Sequence, residues 1–328
     1  MRAWEVYDGV LAVRDVPDVA ARPGESVVTV SQAGVCGSDL PKLRAPRSFD
    51  LPQRWRPGHE IVGTVAGGTL VAVDPLVPCG LCEACPDGRT HLCAGLRRIG
   101  WDLPGGLAEQ VVAPVGNLHS IAPEDASVAV LADPMAVAIH GLRCSGLGRP
   151  GRLAVVGAGT VGLLTAAYGA SIGWDVTVVY RGTGLNERAA SVDARLVSLG
   201  EATTSTPYDV VVDAASGSSP APLALALELV RDGGAVVVQN AYHPGVRLET
   251  PLRDVFRRSV RLVGSFSFCR RGGNDFGLAL AALASSGAFF GPLLVGVGGL
   301  EALESTVDRA EERRRLVVHL RRDRATGG

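Results

Sequence analysis

The sequence predicts an α/β protein made of a largely antiparallel, β-rich part and a doubly wound parallel sheet. Two textures carry that expectation. Residues 1–30 alternate apolar and polar in short pieces broken by Asp8-Gly9, Pro17 and Pro23-Gly24, the mark of strands joined by tight turns. From about Ala132 longer helical stretches alternate with short valine-rich strands, which argues for parallel strands with right-handed crossovers. A chain of 328 residues has room for about two such domains.

Taken in order, the β texture continues through Glu60–Val65, Thr69–Val73 and Gly106–Pro114. The parallel strands are expected at Leu153–Val156, Val176–Tyr180, Tyr208–Val212 and Gly234–Gln239. A helix is expected around Asp275–Ser286, then a final strand at Leu316–Leu320 and a polar tail over 321–328. Two uncharged runs, Leu153–Trp174 and Phe276–Leu300, are interrupted by Gly157, Gly159 and Gly162 and by Ser285, Ser286, Gly287 and Pro292. They read as buried strand and helix, not as lipid-facing spans.

Charge is balanced, with 32 Lys+Arg against 33 Asp+Glu, so neither nucleic acid nor a membrane is an expected partner. No basic segment leads into an apolar run at the N-terminus, so no signal peptide is expected. The 7 cysteines then fit a reducing, cytoplasmic setting better than a disulfide framework. Cys144 and Cys269 read as small buried hydrophobes.

Four of the cysteines, Cys79, Cys82, Cys85 and Cys93, form a C-x2-C-x2-C-x7-C lobe. Four thiolates at this spacing can close a tetrahedral zinc site with no open position. An iron–sulfur cluster fits less well: the bacterial ferredoxin run keeps three residues before its fourth cysteine and a proline after it, whereas Ala94 follows here. A nucleic-acid ribbon would want a basic surround, and the lobe holds only Arg89.

Gly157, Gly159 and Gly162 form G-x-G-x-x-G directly after an expected strand and before a helical run that opens with Thr160 and Val161. In that context the motif is a dinucleotide site: the first glycine permits the turn, the second lets backbone approach the pyrophosphate, and the third allows close helix–strand packing. The helix N-terminus offers free N–H groups to phosphate. The next strand ends in Tyr180-Arg181-Gly182-Thr183 with no carboxylate at the ribose position. Arg181, with Thr183 beside it, favours a 2′-phosphate and hence NADP(H) over NAD(H).

Gly34-Val-Cys-Gly-Ser-Asp39 and Gly58-His59-Glu60, with the cysteine lobe and the glycine motif in this order, resemble the zinc-containing medium-chain dehydrogenase/reductase family of alcohol, polyol and threonine dehydrogenases. The resemblance implies a GroES-like catalytic domain over 1–134 and 267–328, with the structural zinc lobe at 79–93, and a Rossmann cofactor domain over 135–266. It assigns a catalytic zinc to Cys36, His59 and Asp133, a hydroxyl that hydrogen-bonds substrate to Ser38, and a metal-approaching carboxylate to Glu60. Asp39 is expected to support the metal shell. Three protein ligands leave one position for a substrate oxygen.

The implied chemistry is hydride transfer between the carbon of a small secondary alcohol, or its ketone, and the nicotinamide, with two zinc ions per chain. The histidine that many members carry shortly after the GVCGSD motif is replaced here by Leu40-Pro41-Lys42. The family places backbone around Gly264–Ser267, including Ser265, at the nicotinamide, and Arg315 within reach of the pyrophosphate, although the charged run 311–315 also reads as a surface face. Trp55, Trp101 and Phe266 are candidates for a substrate wall or for core. A polyol, aminocyclitol, sugar or amino alcohol fits as substrate, and a homodimer or homotetramer as assembly. The competing readings are a zinc-independent quinone or enoyl reductase and a non-enzymatic, zinc-stabilised nucleotide sensor.

Overall fold

The computed structural model describes residues 1–182, 189, 192–202, 207–308 and 315–320, without the side chains of 286–289 and 304. The chain divides into two units, Met1–Asp133 with Arg270–Gly328, and Pro134–Cys269.

The first unit is built on a 7-stranded sheet. Its order runs Leu118–Ser120, Leu70–Val73, Glu60–Thr64, Glu25–Val35, Arg315–His319 and Leu294–Val297, and Gln110–Pro114 pairs with the first half of Glu25–Val35. All these pairs are antiparallel except the last two strands of the path. Glu25–Val35 is long enough to pair with Gln110–Pro114 and Glu60–Thr64 along different stretches, and its register with the latter shifts between Val30 and Gln32. Such an irregularity bends a strand and re-aims its remaining side chains.

A 3-stranded sheet, Val10–Asp15, Arg2–Tyr7 and Arg54–Trp55, packs its inward side chains with Val28, Ile61, Leu107 and Val318 into one core. Two buried tryptophans anchor that core by their polar edges: Trp4 Nε1 donates to the Leu300 carbonyl at 2.7 Å and Trp55 Nε1 to that of Gly100 at 2.8 Å. Each ring buries a large area while its N–H stays satisfied. Trp55 is 2% exposed, so of its two sequence readings the structure supports core.

The second unit carries a 6-stranded parallel sheet in the order Arg195–Ser198, Asp175–Tyr180, Arg152–Val156, Tyr208–Asp213, Val230–Val238, Arg261–Gly264. In chain order this is 3-2-1-4-5-6, the doubly wound arrangement whose reversal point binds dinucleotides. Its central strands are buried along nearly their whole length, which explains their continuous apolar sequence. Strands Arg195–Ser198 and Arg261–Gly264 do not follow from the alternation in the sequence.

The two uncharged runs resolve as strand Arg152–Val156 with helix Thr160–Ser171, and as helix Asp275–Phe290 with strand Leu294–Val297. Among the described residues no single helix is long and apolar enough to cross a membrane. All 7 cysteines are free thiols; Cys269 is buried, whereas Cys144 is partly exposed with its Sγ 3.5 Å from His140 Nε2. The tail 321–328 lies outside the described residues.

Candidate metal centre and dinucleotide site

Three neighbouring strands build the metal centre of the first unit. Gly34 stands opposite Glu60 on one side and Val317 on the other. Cys36 follows the end of Glu25–Val35, His59 precedes Glu60–Thr64, and Arg315 opens the last strand. Sheet pairing thus brings together residues that lie hundreds of positions apart. Gly34 is required by that proximity, since a Cβ there would lie 2.1 Å from Glu60 Oε2. The glycine of the GVCGSD motif makes room for the glutamate of the GHE motif.

Cys36, His59 and Glu60 each offer a ligand atom within 4.8 Å of the others. Glu60 Oε2 lies 3.2 Å from Arg315 Nε, and Arg315 Nη1 donates to the Val35 carbonyl at 3.2 Å. Arg315 is 5% exposed, so this end of the charged run is not a surface face. Its guanidinium lies at the metal centre. Residues 311–314 lie outside the described residues.

His59 Nδ1 faces two partners, Asp39 Oδ2 at 3.4 Å and Trp101 Nε1 at 3.2 Å. One ring nitrogen cannot serve both at once. With a proton on Nδ1 it donates to Asp39; without it, it accepts from Trp101. Ligation through Nε2 selects the carboxylate partner, the usual arrangement for a metal-bound histidine. Asp133, in the first turn of the helix Ala132–Cys144, lies close enough for its charge to act on both His59 and Glu60.

The electrostatics fit a cation. Burial alone would push the Cys36 thiol up, but Arg315 and His59 together hold it well below its ordinary range, and the Ser38 hydroxyl hydrogen-bonds it. Burial would lower His59, yet the charges of Asp39 and Cys36 hold it well above 6.5. Burial, with the Cys36 charge added, pushes Asp39 up to about 6, Asp133 up to about 7 and Glu60 well above 4.5. Among the described residues, neither oxygen of Asp39 or of Glu60 has a hydrogen-bond partner, and Glu60 has its ion contact with Arg315, a costly state for buried carboxylates unless a cation compensates. Thiolate, imidazole and carboxylate together suit zinc.

The second metal set is the lobe, which emerges from a two-stranded ribbon of Leu76–Val77 and Arg97–Arg98. The ligand atoms of Cys79, Cys82, Cys85 and Cys93 all lie within 4.8 Å of one another, with Cys82 Sγ and Cys79 Sγ respectively 3.6 and 4.0 Å from Cys85 Sγ. Four thiolates around one zinc would sit about 3.8 Å apart, given Zn–S near 2.3 Å. Backbone N–H groups of Leu81 and Cys82 lower the Cys79 thiol to about 6, readying it as a thiolate ligand.

In the second unit, Gly157 has φ +114° and packs against Ala214 and Ala215, and a Cβ on Gly162 would lie 2.0 Å from the Gly157 carbonyl oxygen. Among the described residues nothing lies within 4 Å of the Cβ position of Gly159, which is the N-cap of helix Thr160–Ser171 and makes no side-chain capping bond. The turn therefore presents open space and free N–H groups where a phosphate would sit. Thr160 and Val161 begin that helix, and Arg181 is exposed just beyond strand Asp175–Tyr180. Thr183 lies outside the described residues.

Ser265 N donates to the Val238 carbonyl at 2.9 Å, and its buried hydroxyl lacks a partner. Phe266 is exposed beside it. A feature without a sequence signal is the pair at the end of Tyr208–Asp213, where Tyr242 OH donates to Asp213 Oδ2 at 2.6 Å.

Residues 22–123 match the alcohol dehydrogenase GroES-like domain. The chain is 34% identical over 301 residues to D-altritol 5-dehydrogenase of Agrobacterium fabrum, covering 86% of this chain and 87% of that one. It is 28% identical over 263 residues to L-galactonate-5-dehydrogenase of Escherichia coli, 74% of this chain and 75% of that one. In fold it matches galactitol-1-phosphate dehydrogenase from Escherichia coli with TM-score 0.86 at 21% identity, over 97% of this chain and 100% of that one. The chain belongs to the zinc-type medium-chain dehydrogenase/reductase family of NAD(P)-dependent alcohol and polyol dehydrogenases.

Proposed function

We propose that this chain interconverts a secondary alcohol of the polyol class and its ketone, using NADP(H), with a catalytic zinc held by Cys36, His59 and Asp133 and a structural zinc held by the cysteine lobe. The observation that carries the reading is the buried cluster of Cys36, His59 and Glu60, a thiol, an imidazole and a carboxylate whose ligand atoms lie within 4.8 Å of one another. A zinc-independent reductase has no use for such a donor set. Arg181, at a strand end without a ribose-binding acid, supports NADP(H).

Bound zinc and NADP(H) would supply Lewis acidity toward the alcohol oxygen and a hydride acceptor or donor. The chain's residues do the rest. Cys36 is kept as a thiolate by Arg315 and His59, and Asp39 fixes the His59 ring through Nδ1. Ser38, whose hydroxyl lies against Cys36, is placed to hydrogen-bond the alcohol oxygen. Glu60 is balanced by Arg315, so the pair adds no net charge to the site while leaving a carboxylate in reserve beside it.

Zinc content and coenzyme preference test the reading together. The expected result is two zinc ions per chain, one lost in Cys36→Ser, and a kcat/KM ratio favouring NADP⁺ over NAD⁺ that falls at least about tenfold in Arg181→Asp. A wild type with a single zinc that Cys36→Ser leaves in place returns the chain to the zinc-independent or sensor readings. A coenzyme ratio indifferent to Arg181 removes the NADP(H) assignment alone.

A further inference from the structure

Lys42 follows the Gly34–Asp39 motif by three residues, and its surroundings give it a task. It lies in the short helix Leu40–Arg44. Its ammonium donates to the Ser38 carbonyl at 2.8 Å and sits 4.2 Å from the centre of the Trp101 ring and 5.4 Å from that of Phe49. Trp101 in turn points its N–H at His59 Nδ1, 3.2 Å away. One aromatic ring therefore separates this ammonium from a residue of the metal centre.

Among the described residues Lys42 has no carboxylate within ion-pair distance, and Ser38 takes one of its three N–H donors. The other cation on Trp101 is different. Arg98, 5.1 Å from the ring centre, is engaged by Asp102 through contacts of 2.9 and 3.3 Å. A half-buried ammonium held by a carbonyl and two aromatic faces keeps its charge and its reach while losing much of its freedom. Two free N–H donors on such a group match an oxoanion.

We infer that Lys42 is a specificity residue that binds an anionic group on the substrate, so that the preferred substrate is a secondary alcohol carrying a carboxylate or a phosphate. The inference rests on the dehydrogenase reading above and narrows its substrate class. The metal centre, with zinc bound, would take the reacting hydroxyl, while Lys42 holds the charged end of the same molecule against Trp101.

The test uses the zinc-loaded full chain and three alcohols: a hexitol, the same hexitol as its 1-phosphate, and the corresponding aldonate. For the wild type, kcat/KM is expected to be higher for at least one anionic alcohol than for the hexitol, by about tenfold or more. Which of the two wins distinguishes phosphate from carboxylate. Lys42→Met keeps the stem on Trp101 and Phe49, and is expected to collapse that ratio about tenfold or more through KM; Lys42→Arg restores most of it. Calorimetry of the two anions on wild type and Lys42→Met reads binding without turnover.

A wild type that favours the hexitol over both anions overturns the inference, as does a ratio that Lys42→Met leaves unmoved. The two failures separate. Lys42-dependent anion binding with no nicotinamide reduction by any of the three alcohols keeps the anion site at Lys42 and removes the dehydrogenase reading, and with it the substrate class. Hexitol turnover with a Lys42-independent ratio does the reverse.

Discussion

At the scale of residues, the metal centre stores its charge as raised carboxylates. Asp39 at about 6 and Asp133 at about 7 stand above their ordinary value of 3.8 in the protein without zinc. A folded pKa raised above the unfolded one means that the group favours folding at low pH and that this contribution is lost as pH rises through the folded value. Between pH 4 and 7 the metal-free fold therefore loses stability from these two groups. Zinc, which binds the deprotonated ligands, restores it. The rise in melting temperature on zinc reloading is expected to be larger at pH 8 than at pH 5.5, by about 4 °C for a chain of this size. In Asp133→Asn that pH difference should shrink. Equal gains at both pH values in the wild type would remove the role given to these carboxylates.

Residue identities at this centre were legible where a motif keeps its members adjacent, as in Gly34–Asp39 and Gly58–Glu60. They were not legible where the sheet joins distant segments. Arg315 meets Glu60 because Gly34 pairs with both strands, and Trp101 reaches His59 from a loop 42 positions away. Nothing in local spacing encodes either contact. Lys42 was visible only as a departure from the family pattern, and its relation to Trp101 is a property of the folded chain.

Among the elements, the glycine-rich turn shows how one missing side chain sets a function. Gly162 lies inside helix Thr160–Ser171, and its Cβ position is 2.0 Å from the Gly157 carbonyl oxygen. Adding a side chain must push the helix off the turn, removing the N–H groups from the phosphate position. Gly162→Val is expected to weaken NADPH binding at least about a hundredfold, since it combines overpacking with a lost anion site. Both metal sets belong to the other unit, so zinc content should stay at two per chain. NADPH fluorescence titration alongside metal analysis checks both halves. Unchanged NADPH affinity would mean that the turn is not the phosphate site.

The strands that sequence reading found are those whose pattern is driven by burial on both faces, such as Arg152–Val156 and Tyr208–Asp213. Arg195–Ser198 and Arg261–Gly264 escaped it because they are the two edges of the parallel sheet and carry few buried residues. Central strands announce themselves by composition. Edge strands are defined by their neighbours and have little signal of their own.

For the whole molecule, one of those edges bears on assembly. Arg261–Gly264 is the last strand of the 6-stranded sheet, with one side of its backbone unpaired among the described residues. Leu262 on it is 51% exposed, and the helix Leu252–Arg257 exposes Leu252 at 77% and Phe256 at 82%. A bare edge flanked by large apolar side chains invites pairing with another chain, and stable proteins cover or charge such edges. The homodimer or homotetramer that the family resemblance implies would cover this one if a second copy joined the two sheets edge to edge about a twofold axis, the commonest symmetry of homo-oligomers. Light scattering after gel filtration is then expected to give twice the chain mass or a multiple of it. Leu262→Asp with Phe256→Asp should shift the protein toward one chain mass, because each carboxylate must be desolvated in the joined state. Zinc content at two per chain would show that the variant still folds. A wild type of one chain mass, or an assembly that both charges leave intact, would place the contact elsewhere.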